Sequence, residues 1–172
     1  AVIDIGSTTT NLITIEDGDV QQVSVLPLGG NHITNDLAIG LRTELKMAEA
    51  VKRNYKYLSE NSKTRPQHVK VLVSGKEHVF LTKDIELVIT ARLAELFDAV
   101  NKELAKVGLS KKLPGGVTLT GGTAQLPGIE EIAKDELALS ARVVFPSENL
   151  SGLKERVAKP EYAVAAGLML LD

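Results

Sequence analysis

Residues 4–11 read Asp-Ile-Gly-Ser-Thr-Thr-Thr-Asn and join two short apolar segments, 1–5 and 11–16. Two strands connected by small hydroxyl residues predict a hairpin whose tip exposes successive backbone N–H groups. Such a tip suits phosphate oxygens, although a plain tight hairpin explains the same residues equally well. Asp4 stands where a buried strand would hold an apolar residue, and a carboxylate there can bind Mg²⁺ through water beside a phosphate.

Two long amphipathic helices are predicted further along the chain. Apolar residues recur at steps of three and four over 37–58, which predicts one continuous helix with Thr34 as its N-cap. The same spacing over 85–104 predicts a second helix that starts at Thr82 and ends just before Gly108.

The other predicted elements are shorter. They are the strands 20–26 (after an Asp-Gly turn), 69–73, 79–81, 117–120 and 142–145, and helices that start at Ile129 and Pro160. The order is strands, helix, a smaller unit, then strand–helix–strand–helix. It predicts an α/β layer domain with a small unit inserted near residues 59–114.

A glycine loop over residues 121–128 follows the predicted strand 117–120 and leads into a helix. Its paired glycines, Gly121 and Gly122, allow a flat ligand to approach the backbone closely, while a simple strand-to-helix turn is the alternative. Glu130 and Glu131 follow in the first helical turn and would repel phosphate there. A base or a ribose is therefore the expected ligand of this loop.

Glu49 and Lys52 lie three residues apart on the first long helix and so share one face. Hydrogen bonds from this pair could bracket a ribose or an adenine. A solvated ion pair on the helix surface is the alternative interpretation.

Composition excludes several classes of protein. The 172 residues carry a net charge of −2, which argues against a nucleic-acid partner. The chain has no cysteine, which excludes disulfides and thiol chemistry. His32, His68 and His78 have no metal-ligand spacing, and the apolar run 162–171 is too short for a bilayer, which takes about 20 residues. Because the chain begins inside a predicted strand without Met, we expect it to be part of a longer protein.

Taken together, these segments resemble the second half of the actin/Hsp70/sugar-kinase ATPase superfamily. Residues 4–11 look like its second phosphate loop, and Leu-Thr-Gly-Gly-Thr-Ala-Gln-Leu-Pro-Gly at 119–128 looks like its adenosine motif. More narrowly, Leu-Gly-Gly-Asn-His-Ile-Thr-Asn-Asp-Leu-Ala-Ile-Gly-Leu-Arg-Thr at 28–43 is similar to the bacterial cell-division family FtsA. Ala-Glu-Ala-Val-Lys at 48–52 and Lys-Pro-Glu-Tyr-Ala-Val-Ala-Ala-Gly-Leu at 159–168 fit the same family.

The resemblance implies an actin-like (ribonuclease H-like) α/β fold with a mixed sheet and flanking helices. Residues 1–58 and 115–172 would form subdomain IIA, and 59–114 the inserted subdomain IIB. It also implies ATP and Mg²⁺ as ligands. The implied site consists of Asp4 for Mg²⁺ through water; Gly6, Ser7, Thr8 and Thr9 for phosphate; and Glu49, Lys52, Gly121, Gly122, Thr123 and Gln125 for ribose and adenine.

An FtsA-like role implies a cytoskeletal adaptor and not primarily an enzyme. The family has glycines where Ser7 and Thr8 stand and an aspartate where Asn11 stands, so weak or absent ATPase activity is expected. The family tethers FtsZ to the membrane, forms filaments and recruits other division proteins, which implies a cytoplasmic location at the inner membrane face of the division site. Membrane contact would come only through segments that this chain lacks.

The resemblance also places the binding site for the FtsZ C-terminal tail on the helix that starts at Thr82. Arg92 would grip an acidic tail there, with Glu95 beside it, although an internal Arg92–Glu95 pair is the alternative. Two other functions are considered: a PilM-like pilus-assembly ATPase, and a small-molecule kinase of the same superfamily. A kinase needs an acceptor pocket and a general base, and neither is visible in the sequence.

Overall fold

The computed structural model describes residues 1–60, 67–146 and 158–170, without the side chains of 56–60. The strands are β1 (Val2–Ile5), β2 (Thr10–Glu16), β3 (Asp19–Leu26), β4 (His68–Val73), β5 (Lys76–Leu81), β6 (Val117–Thr120) and β7 (Ala141–Val143). The α-helices are α1 (Gly30–Gly40), α2 (Leu45–Glu60), α3 (Thr82–Lys106), α4 (Ile129–Leu137) and α5 (Ala163–Met169). Short 3₁₀ turns occupy Gly122–Gln125 and Pro160–Tyr162.

Five of these strands form one mixed sheet in the order β3-β2-β1-β6-β7. Strands β1, β2 and β3 are antiparallel neighbours, whereas β6 and β7 run parallel to β1. The antiparallel pairs need only short turns, and the parallel pairs are reached through helical crossovers. The mixed sheet with flanking helices confirms the predicted α/β architecture.

The helix predicted over 37–58 is two helices, so that prediction is wrong in its continuity. Helix α1 ends at a Schellman motif in which Arg42 takes a left-handed conformation with φ of 52°. The Arg42 N–H donates to Ile39 O at 3.2 Å, and the Thr43 N–H donates to Ala38 O at 2.9 Å. These bonds satisfy the last carbonyls of α1 and turn the chain into α2. The apolar spacing continued across the break, which concealed it.

Thr34 is not an N-cap, because α1 begins four residues earlier with Gly29 as its N-cap. Gly29 has no side chain to cap the helix, and its own N–H donates to Nδ1 of His32 at 3.2 Å. Thr34 lies buried inside α1, where its hydroxyl takes part in the polar network described below.

Helix α3 matches its prediction. It runs from Thr82 to Lys106, and Gly108 follows with φ of +74°. The apolar residues predicted to face inward are all buried: Ile85, Ile89, Leu93, Leu96, Val100 and Leu104. This face packs against both α1 and α4.

Strand β3 presents Gln22 and Ser24 to α3 and its valines to solvent. Val23 and Val25 are each 64% exposed. Ser24 donates to Oε2 of Glu103 on α3 at 3.1 Å, and Gln22 donates to the Glu103 carbonyl at 3.3 Å. The end of α3 thus offers acceptors to this side of the strand, and the polar residues turn toward them.

Strand β1 is buried on one face only, which corrects the prediction of a fully buried strand. Ile3 and Ile5 lie in the core, whereas Val2 and Asp4 point to the other face. Asp4 is therefore half-buried and not a charge enclosed in the core. The last predicted strand, 142–145, is observed one residue earlier and shorter, as β7.

Strands β4 and β5 form a separate two-stranded hairpin, and α2 and α3 pack against it. The predicted boundary between residues 58 and 59 falls within the last turn of α2. The division into two subdomains stays a prediction. In the part of the chain that is described, no helix combines the length and hydrophobicity needed to cross a bilayer.

Candidate functional site

An open cleft of about 860 Å³ lies beside the ends of two parallel neighbours, β1 and β6. The carboxyl ends of parallel strands are the usual place for ligands in α/β sheets. Five charged residues line the cleft, three cationic and two acidic: Lys46, Lys52, Arg53, Glu49 and Glu161. The other lining residues are Ser7, Gly30, Asn31, Thr34, Asn35, Leu45, Gly122, Thr123, Gln125 and Leu126.

The loop of residues 6–9, which follows β1, is held by the first turn of α1. The Gly30 N–H donates to Gly6 O at 2.9 Å, and the Asn31 N–H donates to Ser7 O at 2.7 Å. The sequence had predicted that the backbone N–H groups of this loop are open to phosphate. The Gly6 N–H instead donates to Thr9 O at 2.9 Å, so this amide is occupied within the loop. Ser7 and Thr8 are exposed, and Ser7 lines the cleft.

The glycine loop, residues 121–128, packs tightly against β1. Gly121 has φ of +89°, and a Cβ on it would lie 2.4 Å from Oδ1 of Asp4 and 2.5 Å from the carbonyl of Ile5. Only glycine fits this position. The Thr123 hydroxyl donates to Gly6 O at 2.9 Å, which links this loop to the 6–9 loop.

Helix α2 supplies a polar network to the cleft wall. Lys52 Nζ donates to Glu49 Oε2 at 2.7 Å, to Thr34 Oγ1 at 2.8 Å and to Gly30 O at 2.9 Å. The Thr34 hydroxyl lies 2.6 Å from Glu49 Oε2, and Arg53 Nε donates to Glu49 Oε1 at 2.9 Å. Glu49 and Lys52 are therefore not a simple solvated pair, since they also tie α2 to α1.

The pKa of Glu49 lies below its ordinary value. Burial alone would raise this pKa, but the hydrogen bonds from Lys52, Thr34 and Arg53 outweigh burial and lower it. Glu49 is therefore ionised at neutral pH. Two carboxylate oxygens accept about four hydrogen bonds, and three are used here, which leaves room for one sugar hydroxyl.

Asp4 is half-buried at the end of β1, beside Asn11, whose Nδ2 lies 3.5 Å from Asp4 Oδ2. Within the described ranges, no group of three or more acidic, histidine or cysteine side chains could enclose a metal ion. One carboxylate fits the way Mg²⁺ is often bound, with several waters kept and few protein ligands.

Sequence reasoning missed the 3₁₀ turn at Pro160–Tyr162 as part of the site. The Pro160 carbonyl accepts hydrogen bonds from the Gly121 N–H at 3.1 Å and from the Thr120 hydroxyl at 2.9 Å. Glu161 accepts from Gln125 Nε2 at 2.7 Å and lines the cleft. The Lys-Pro-Glu-Tyr string at 159–162 was visible in the sequence, but nothing local placed it beside residue 121.

Arg92 and Glu95 lie outside the cleft, on α3. Arg92 makes two hydrogen bonds to Asp36 on α1, Nε to Oδ2 at 2.5 Å and Nη2 to Oδ1 at 3.0 Å. Its Nη1 lies 2.8 Å from Oε2 of Glu95. The predicted internal pair with Glu95 is therefore present, and a tail carboxylate would have to displace Asp36 to bind Arg92 in the same bidentate way.

Comparison with known proteins identifies the family. A family model described as cell division protein FtsA matches residues 1–167. The chain belongs to the FtsA family. Cell division protein FtsA of Bacillus subtilis is 36% identical over 171 residues, which cover 98% of this chain and 37% of that protein. FtsA of Neisseria meningitidis is 37% identical, with 98% and 41% covered.

The chain thus spans about two fifths of the length of these FtsA relatives.

Solved structures agree on the fold. A PilM–PilN type IV pilus biogenesis complex superposes with a TM-score of 0.72 and 26% identity, covering 99% of this chain and 44% of that one. MreB5 of Spiroplasma citri bound to ADP superposes with a TM-score of 0.70 and 23% identity, and the match covers 99% of this chain and 52% of that one. The predicted resemblance to FtsA and the actin-like fold are both confirmed.

Proposed function

We propose that the cleft binds an adenine nucleotide, as one wall of the ATP site of an FtsA-type cell-division protein. The observation that carries this proposal is the meeting of three predicted segments at one cleft: the 6–9 loop, the Glu49–Lys52 pair and the glycine loop. Sequence reasoning had assigned the first segment to phosphate and the other two to ribose or base. The MreB5 structure contains ADP in the same fold, which supports a nucleotide as the ligand.

In this arrangement the phosphates lie toward Ser7 and Thr8, whose exposed hydroxyls are suitable donors. The lining of the cleft has one positive charge in excess, which favours an anionic ligand. Gly122 and Thr123 form the wall against which the adenine lies, and Glu49 accepts from a ribose hydroxyl. Asp4 would hold Mg²⁺ through water, and the ion would neutralise phosphate charge when bound.

Calorimetric titration of the 172-residue chain with ATP and Mg²⁺ tests this function. Because the chain supplies one wall of an open cleft, we expect weak binding, with Kd on the order of 10 μM or higher. A Cβ on Gly122 meets nothing closer than 3.9 Å, so this position has room for the first atom of a side chain that lines the cleft, and Gly122→Leu should weaken ATP binding at least tenfold.

The control is Gly115→Leu, also in open space but away from the cleft, which should leave ATP binding unchanged. No detectable binding at about 1 mM ATP would refute the nucleotide function. Sub-micromolar binding would refute the one-wall interpretation.

We further propose that the protein containing this chain acts in division as an adaptor with weak or no ATPase activity. It would bind the FtsZ tail through α3, self-associate into filaments and lie at the inner membrane face of the division site. Membership of the FtsA family supports these roles. A PilM-like role is the second candidate, favoured by the similarity to the PilM–PilN complex. Capture of FtsZ, and not of a PilN-type partner, by the protein would decide between them.

A further inference from the structure

All three N–H donors of the Lys52 ammonium have acceptors within the protein. An ammonium group has three N–H donors. The three acceptors described above, on Gly30, Thr34 and Glu49, all lie within 2.9 Å of Nζ. The side chain is only 14% exposed. No donor is left for a ribose or a base.

The acceptors of Lys52 lie on the part of α1 that holds the 6–9 loop. Gly30 gives its carbonyl to Lys52 and its N–H to the carbonyl of Gly6. The next residue, Asn31, donates its N–H to the carbonyl of Ser7. The backbone of Gly30 thus connects Lys52 to the 6–9 loop.

This first turn of α1 packs closely against the glycine loop at Gly30. A Cβ on Gly30 would lie 2.5 Å from the Thr123 hydroxyl and 3.5 Å from Lys52 Nζ. Thr123 itself donates to Gly6 O, the same carbonyl that Gly30 binds. The position of the 6–9 loop is therefore set jointly by α1 and the glycine loop, and Lys52 is one of the groups that hold the first turn of α1.

We propose that Lys52 is a positioning residue that sets the 6–9 loop for phosphate, and not a ligand of ribose or adenine. This inference rests on the proposed nucleotide function and changes the role that the family resemblance implied for Lys52. Removal of the ammonium should loosen the first turn of α1, and with it the Gly6 and Ser7 carbonyls. Phosphate binding should suffer, whereas nucleoside binding should not.

The test compares Lys52→Met with Arg53→Met in this chain. Arg53 is the matched control because it is adjacent on α2 and also binds Glu49, but it is 73% exposed and has no bond to Gly30 or Thr34. Without any ligand, hydrogen exchange of the Gly30 and Asn31 amides should accelerate at least tenfold in Lys52→Met and less than threefold in Arg53→Met. Lys52→Gln, which keeps two N–H donors on a shorter side chain, should give an intermediate rate.

Calorimetry with two probes then separates positioning from direct contact. In Lys52→Met the affinity for ATP should fall at least tenfold, while the affinity for adenosine changes less than threefold. Equal losses for ATP and adenosine, or unchanged amide exchange, would overturn the proposal. Because the exchange measurement needs no ligand, it judges the positioning role even if the chain proves to bind no nucleotide. If Lys52→Met fails to fold, Lys52→Gln carries both measurements.

Discussion

Arg92 on α3 holds Asp36 on α1 through two parallel hydrogen bonds, the geometry in which a guanidinium binds a carboxylate most strongly. Both side chains are about three quarters covered, at 25% and 27% exposure. The pair joins α3, which the sequence assigned to an inserted unit, to α1, which lines the cleft. Helices α1 and α3 therefore have a specific polar connection in addition to their apolar contact.

Asp36→Asn should lower the free energy of unfolding by about 1–2 kcal/mol, because it removes the charge from a partly buried bidentate pair. Urea unfolding followed by circular dichroism measures this loss. The exposed Asp98–Lys102 pair on α3 is the control, and Asp98→Asn should change stability by less than about 0.5 kcal/mol. Equal effects at the two positions would show that the Arg92 pair is no stronger than an ordinary surface pair.

The same pair gives a test of the predicted FtsZ-tail site. If Arg92 grips the tail, Arg92→Glu should weaken binding of a tail peptide at least tenfold, or about 1.4 kcal/mol. Asp36→Asn should strengthen binding, because the guanidinium no longer has to leave an internal carboxylate. Fluorescence anisotropy measures both effects at a temperature where circular dichroism shows a folded chain.

Lys102→Glu makes the same charge reversal on an exposed part of α3 and is the control. If Arg92→Glu binds the tail as well as Lys102→Glu does, Arg92 has only its internal role.

Gly121→Ala should be among the most damaging small substitutions in the chain. Its φ of +89° and ψ of 167° suit glycine alone, and the new Cβ would meet Asp4 Oδ1 at 2.4 Å. We expect a loss of about 3 kcal/mol or more in the free energy of unfolding. Gly128→Ala, at φ of +78° but in open space, should cost only about 1 kcal/mol. Similar losses would mean that the backbone angle, and not the contact with Asp4, decides the effect.

The lowered pKa of Glu49 makes part of the stability depend on pH. Because the pKa is lower in the folded chain, the contribution of Glu49 is present above its ordinary value of 4.5 and is lost as pH falls through the folded pKa. Glu49→Gln removes this dependence. The stability difference between the original chain and Glu49→Gln, measured by urea unfolding, should therefore shrink between pH 6 and pH 3. A difference that stays constant over this range would show that the Glu49 charge does not contribute.

The sequence predicted the elements well wherever a local signal existed. Strand β6 and helices α3 and α4 follow from apolar periodicity and from glycines at their ends, because these signals act within a few residues. The break between α1 and α2 was missed, because a left-handed Arg42 replaces the glycine that usually marks a helix end. Thr34 was given the wrong role for a different reason. A cap residue and a buried threonine look alike in the sequence until the first turn of the helix is located.

The sequence by itself determined which segments carry chemistry, because small hydroxyl residues, paired glycines and a carboxylate at a strand end can be recognised from residue type and spacing. Only the tertiary structure decided how these segments cooperate. Gly6 receives hydrogen bonds from Gly30 and Thr123, which lie 24 and 117 residues away along the chain. The number of acceptors around Lys52 is likewise set by the crossing of α1 and α2. Contacts at such separations depend on the packing of the whole domain, which no local pattern encodes.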